Sequence, residues 1–318
     1  MDYFLGRRNE EMVTEARFEL AITCTPSMYH TKLDYPVLIN FVSFSFYFKL
    51  FYSLFSFSSK CFIMNYHLFN MNSKKYLLHE ISWTDIEKLD RKKTVFLLPV
   101  GSTEQHGPQN PLGTDFLIAE HIARETAKRS PNVYCLPTLP FGIASHHRNF
   151  PGTLWLDPST FLSVIEEVIL SIHYHGFDKL VVVNGHGGNT ASIMLAISEI
   201  NDVHDMICSL FEWWKDEELA MDIFGVPSAV HADTVETSTV WAAYPDLVKE
   251  ERFEGLKSAE KWGREIGDLY ISSRTDQFTE TGIAGPVGGF SIEKGKKILE
   301  GSINKLLSSL EKLSKYEK

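Results

Sequence analysis

The sequence predicts an α/β protein, a three-layer sandwich on a mainly parallel central sheet. Three observations carry that expectation. Two apolar runs rich in β-formers, residues 94–100 and 180–183, each break abruptly into a Gly-rich turn, as buried strands do. Segments with helical apolar spacing lie between the strands; in one, Phe161, Val164, Ile165, Val168, Ile169 and Ile172 share a face. Strands that alternate with helices imply βαβ units and parallel pairing.

The totals set the limits. With 318 residues and 44% hydrophobic content, the chain can fill one large domain or two small ones. Residues 1–70 hold as many acidic as basic side chains, so the net charge of −10 falls on the remainder. That shift divides the chain into residues 1–71, a low-complexity aromatic-rich extension expected to lie outside the fold, and residues 72–318, the folded domain. Residues 36–57 carry one charge, Lys49, and just reach the roughly 20 apolar residues that cross a bilayer. A signal peptide does not fit, because the apolar run starts late and no small-residue cleavage site follows. Met71 offers a later start, and membrane attachment is expected only if residues 36–57 are a real anchor. The acidic balance and the lack of a Lys/Arg cluster exclude a general nucleic-acid binder. Cys24, Cys61, Cys135 and Cys208 show no C-x-x-C spacing, which fits a reducing, cytoplasmic setting and excludes a thiolate zinc site.

From Leu77 the elements follow in order. Ser82 opens a short helix. Residues 94–100 form the first core strand. Thr114 or Asp115 can cap a helix with Ile118, Ile122 and Ala123 inward. Residues 133–136 are a short strand ended by Pro137. A long loop, 141–156, holds Ser145-His146-His147-Arg148 and is expected to be functional. Ser159 or Thr160 caps the next helix, which Gly176 ends. After the second core strand come a helix over 190–200, a strand over 206–211 and a helix-like stretch over 216–224. A helix following residues 231–238 stops at Pro245, and residues 253–269 read as a charged, exposed helix. Residues 279–290 are a Gly-rich loop, and a last helix begins at Ser291.

The chemistry sits just past the two core strands. Glu104 and His106 are two apart, so in extended chain they point to one side, and Asp115 follows. His186 occupies the matching turn, Asn184-Gly185-His186-Gly187-Gly188-Asn189. Glu104, His106 and Asp115 alone also fit a hydrogen-bonded loop; adding His186 favours a site for divalent metal. Two carboxylates and two imidazoles suit Zn²⁺, Mn²⁺ or Fe²⁺. A carboxylate such as Asp115 can bridge two ions ~3.5–4 Å apart.

Residues 98–115, the Asn184–Asn189 turn and His231-Ala232-Asp233-Thr234-Val235-Glu236-Thr237-Ser238 together resemble the creatininase (creatinine amidohydrolase) family, in its wider G-H-G-G-N form. The resemblance implies a dinuclear-metal amidohydrolase that cleaves a C–N bond of a small, linear or cyclic amide. It implies Glu104, His106, Asp115 and His186 as ligands, Asp115 as the bridge, and His231 as the catalytic proton shuttle. Creatininases proper carry a ligand Glu two residues after the N-G-H histidine, where this chain has Gly188. Glu236 is then either the replacement ligand or a carboxylate that orients His231 or a metal-bound histidine. His147, Trp213 and Asn189 are the candidates for substrate contact. Gln109 stands where many members have His. A homohexamer is implied by the same resemblance. The alternatives are a formamide hydrolase acting on a formylamino-pyrimidine nucleotide and a metal-binding protein without catalysis.

Overall fold

The computed structural model describes residues 75–316 apart from Lys261. The expectations for residues 1–71, including the anchor reading of 36–57, lie outside the described residues.

A one-turn helix, α1 (Trp83–Ile86), precedes the first strand, β1 (Val95–Val100). There follow α2 (Thr114–Arg129), β2 (Val133–Cys135), α3 (Pro158–Tyr174), β3 (Lys179–Asn184), α4 (Thr190–Val203) and β4 (Ile207–Glu212). Then come α5 (Glu217–Phe224), α6 (Thr234–Ala243), a hairpin of β5 (Arg264–Ile266) and β6 (Leu269–Ile271), and α7 (Ile292–Ser314).

The four-stranded sheet runs β2-β1-β3-β4 and is parallel throughout. Alternation within the strands splits the core in two. Val95, Leu97, Val181 and Val183 pack with α2, α6 and α7 on one face. Phe96, Leu98, Val100, Leu180 and Val182 pack with α3 and α4 on the other. Both faces are covered, which is why β1 and β3 read as unbroken apolar runs. The chain leaves β1 toward β2 on one side and enters β3 on the other, so the strand order switches between β1 and β3. A crevice opens outside the carboxyl ends at such a point.

Two expectations need correction. Residues 253–269 are not a helix: after the 3₁₀ turn Glu250–Arg252 comes irregular chain that leads into the β5–β6 hairpin. The hairpin turn is Gly267-Asp268, with Gly267 at φ +58°. That two-residue Gly-Asp link is itself a hairpin signal and outweighs the charge pattern. The helix near residue 238 begins earlier, at Thr234, capped by Asp233, whose Oδ1 accepts from the N–H groups of Val235 and Glu236 at 2.9 and 3.0 Å. Asp233 followed three residues later by Glu236 is the usual signature of such a start. Among the described residues, no helix is long and apolar enough to cross a membrane.

Candidate metal centre

The loops after β1 and β3 meet the first turn of α2 in the crevice. Two glycines permit the approach. A Cβ at Gly101 would sit 2.4 Å from the Phe116 nitrogen, and one at Gly185 would sit 2.1 Å from the Asp115 carbonyl oxygen. Gly185 therefore lets the β3 loop lie against α2, and its neighbour His186 lands beside Asp115. Asn184 fixes the turn: its Oδ1 accepts from His186 N–H at 3.1 Å and its Nδ2 donates to His186 O at 2.9 Å.

Glu104, His106, Asp115 and His186 are brought together and buried. The two oxygens of Asp115 face opposite ways: Oδ1 lies 2.8 Å from His106 Nε2, and Oδ2 lies 2.9 Å from His186 Nδ1. Glu104 Oε1 is 3.4 Å from the same His186 nitrogen. Glu236 Oε2, on the first turn of α6, lies 3.8 Å from His106 Nε2. Three donor triads result: Glu104/Asp115/His186, His106/Asp115/Glu236 and Glu104/His106/His231. The first two share Asp115 alone.

The donor set fits divalent metal on its own geometry. Both oxygens of Glu104, Nε2 of His106 and Oδ2 of Asp115 are buried without a hydrogen bond of acceptable geometry. Such groups are costly to bury unless something pairs with them. The remaining imidazole nitrogens are already assigned. His106 Nδ1 donates to the Glu104 carbonyl at 3.1 Å, and His186 Nε2 donates to the Ile143 carbonyl at 3.1 Å. Each histidine thus turns its other nitrogen toward Asp115, the outer-partner arrangement of metal-binding histidines.

The electrostatics follow from burial and crowding. Burial opposes the charge of His106 and His186, but Asp115 and Glu104 beside them outweigh it, raising His106 to about 10 and His186 to about 9. Burial pushes Glu236 up to about 8. For Glu104, burial also works against the charge, but His147 and His186 win and hold the carboxyl well below its usual range. Burial, with His106 and His147 next to it, keeps His231 well below the usual imidazole value. Burial and His147 depress His146 to about 3.

The ring of His231 stacks on His147 at a centroid distance of 4.5 Å and lies tilted against His106 at 4.4 Å, and its Nδ1 is 3.8 Å from Glu104 Oε1. The next residue, Ala232, has φ +52°, the only non-glycine residue with positive φ among those described. Its N–H donates to Glu236 Oε2 at 2.5 Å, while its carbonyl accepts from Gln109 Nε2 at 2.9 Å and from Thr237 Oγ1 at 3.3 Å. A left-handed alanine costs roughly 1–2 kcal/mol, and these bonds over-determine it. Gln109 is thus tied to the backbone beside His231 and does not face the ligands.

A cavity of about 580 Å³ opens over the cluster. His147 lines it, fully buried, with Nε2 3.2 Å from Glu104 Oε1. Trp213 does not line it. The 3₁₀ turn Trp213–Lys215 sends Trp213 into the core and Trp214 to the cavity wall. Asn189 is spent on the backbone: Nδ2 donates to Gly101 O at 3.0 Å and Oδ1 accepts from Ile143 N–H at 2.9 Å. The opposite wall, missed from sequence, comes from the hairpin region. Trp262 packs within 5.4–5.6 Å of the rings of His146, His147 and His231, and Tyr270, Ser272 and Ser273 continue the wall.

The family model for creatininase, described as creatinine amidohydrolase, matches residues 79–310. A creatinine amidohydrolase of Pseudomonas putida is 29% identical over 201 residues, covering 57% of this chain and 76% of that protein. A mycofactocin precursor peptide peptidase of Mycobacterium ulcerans is 32% identical over 192 residues, covering 58% and 72%. A 3-dehydro-scyllo-inosose hydrolase of Thermotoga maritima is 30% identical over 165 residues, covering 49% and 52%. Among solved structures, a mutant creatininase complexed with creatine superposes with a TM-score of 0.65 at 25% identity, covering 75% of this chain and 98% of that one. Other creatininase structures of similar score are described as Zn-Zn and Mn forms.

Proposed function

The chain belongs to the creatininase family of amidohydrolases, and from that premise we propose that it is a dinuclear-metal amidohydrolase acting on a small amide, linear or cyclic. One observation carries the reading: the two oxygens of Asp115 point into two separate donor triads. Glu104, Asp115 and His186 would hold one ion, and His106, Asp115 and Glu236 the other. Zinc, manganese and iron all suit the donors. Gly188 has no room for the carboxylate that creatininases proper carry there, since a Cβ would lie 2.4 Å from His186 Nε2. Glu236 supplies that carboxylate from α6.

When bound, the ions contribute Lewis acidity toward a carbonyl oxygen and a lowered pKa for water. The chain's own residues do the rest. His231, neutral at rest, takes a proton from the attacking water and hands it to the leaving nitrogen as the C–N bond breaks. The backbone at Ala232 fixes where that imidazole stands. Trp214, Trp262 and Tyr270 narrow the cavity and hold a substrate against the cluster. We further take the working molecule to be cytoplasmic, on its cysteine usage, and homo-oligomeric, on the family resemblance.

The test is metal analysis with a substrate panel. Protein carrying two ions per chain should hydrolyse a member of a panel containing creatinine, formamido-pyrimidines and short peptide amides. Chelation should abolish that hydrolysis, and added metal should restore it. Full activity in metal-free protein would refute the reading. Turnover confined to formamides would move the substrate to the alternative and leave the metal centre standing.

A further inference from the structure

Asn184, which holds the His186 turn, is itself held from the next strand. Its Oδ1 accepts from His186 N–H at 3.1 Å and from Asn189 Nδ2 at 3.4 Å. Its Nδ2 donates to His186 O at 2.9 Å and to Glu212 Oε1 at 3.1 Å. A main-chain N–H only donates and a main-chain carbonyl only accepts, so the amide has one orientation. Turned over, it would set oxygen against oxygen at both His186 O and Glu212. In the orientation it has, both lone pairs and both N–H groups are used.

Two of those four contacts clamp the main chain of His186. The other two keep the amide from turning away. The contact to Asn189 is long, and that Nδ2 also donates to Gly101 O at 3.0 Å. Glu212 is the firmer support, because a carboxylate is the stronger acceptor. It ends β4 in register with Asn184 at the end of β3. Its side chain is 4% exposed, so water does not replace it as an acceptor. Oε1 also accepts from the Thr190 hydroxyl, at the start of α4, at 2.5 Å. Oε2 pairs with the Lys215 ammonium, whose side chain is 61% exposed. Glu212 does not line the cavity over the cluster.

We propose that Glu212 is a positioning residue for the metal-binding turn: its carboxylate holds the Asn184 amide against the main chain of His186 and so aims that ring at Asp115 and Glu104. The clamp rests on contacts between protein groups alone; its effect on metal rests on the dinuclear-metal reading.

The experiment compares two variants of the full chain. Glu212→Met keeps the length of the side chain and removes the acceptor. Glu212→Gln keeps an oxygen for Asn184 and Thr190, and the exposed Lys215 can turn to water. Zinc is titrated against a chromophoric chelator. In Glu212→Met one of the two ions should bind about 10- to 100-fold more weakly, and in Glu212→Gln both should bind nearly as in wild type. In a His186→Ala background, Glu212→Met should cost little more, since the ring it positions is gone. Unchanged affinity in Glu212→Met overturns the proposal, as does an equal loss in Glu212→Gln or an undiminished loss in the His186→Ala background. Hydrogen exchange in the metal-free chain gives a second reading. Residues 184–190 should exchange faster in Glu212→Met than in wild type or Glu212→Gln, with β1 unaltered. Equal exchange in all three removes the clamp. If Glu212→Met fails to fold, Glu212→Asp, shorter by one methylene, decides by the same two readouts. Wild type that takes up no zinc would refute the metal reading, and the exchange rates would still decide whether Glu212 holds the turn.

Discussion

At the scale of single residues, Asp115 is the group everything else answers to. Its two oxygens serve different histidines, so an amide in its place can satisfy one side at most. Asp115→Asn should lower bound metal below two ions per chain and cut hydrolysis by at least about 10²-fold, read by elemental analysis and steady-state kinetics. The metal-free cluster also holds protons that the ions must displace. His106 at about 10, His186 at about 9 and Glu236 at about 8 are mostly protonated at pH 7. Ligation requires the unprotonated forms, so apparent affinity should rise as pH climbs from 6 to 8, by roughly tenfold per unit for each proton released. Calorimetry in buffers of different ionisation enthalpy should count more than one proton per chain; pH-independent binding would contradict it. The cluster was legible because its members follow a buried strand or open a helix, where direction is fixed. The tryptophan contact was not. In a 3₁₀ turn successive side chains diverge by about 120°, so a shift of one residue decides that Trp214 and not Trp213 reaches the cavity. Nor does the sequence show what engages the amide of Asn189, because its backbone partners come from two distant loops.

At the scale of elements, α6 and α7 decide how the site is backed. They cross so closely that a Cβ on Gly295 would fall 1.9 Å from the Ser238 carbonyl oxygen. Ser291 N–H also donates to Ser238 Oγ at 3.0 Å. Gly295→Ala should therefore destabilise by about 1–3 kcal/mol despite alanine's better helix propensity. Chemical denaturation would measure it, and a stabilised variant would show that the helices can slide apart freely. The hairpin tells the opposite story. Its charge density fits an exposed helix, yet Gly267-Asp268 between Arg264–Ile266 and Leu269–Ile271 closes two strands. Missing that link hid Trp262 and Tyr270 from the cavity wall. Trp262→Ala should raise KM more than it lowers kcat, because the ring packs on histidines without holding a ligand.

At the scale of the whole molecule, the parallel sheet and both faces of the core were readable from apolar runs alternating with amphipathic segments. The early residues stood apart by composition. A chain starting at Met71 should keep the metal content and hydrolysis of the full chain, with a melting temperature within a few degrees; loss of either would assign those residues a part in the fold. The strand order has one more consequence. The cluster draws Glu104, His106 and Asp115 from the first strand's loop and the helix after it, His186 from the turn after the third strand, and Glu236 from α6. At about 5–20 residues per second of synthesis, many seconds separate the emergence of the first donor from the last. A nascent chain still on the ribosome offers a cation a few scattered carboxylates and no enclosure. On the dinuclear-metal reading, loading would wait for the finished polypeptide to close on itself.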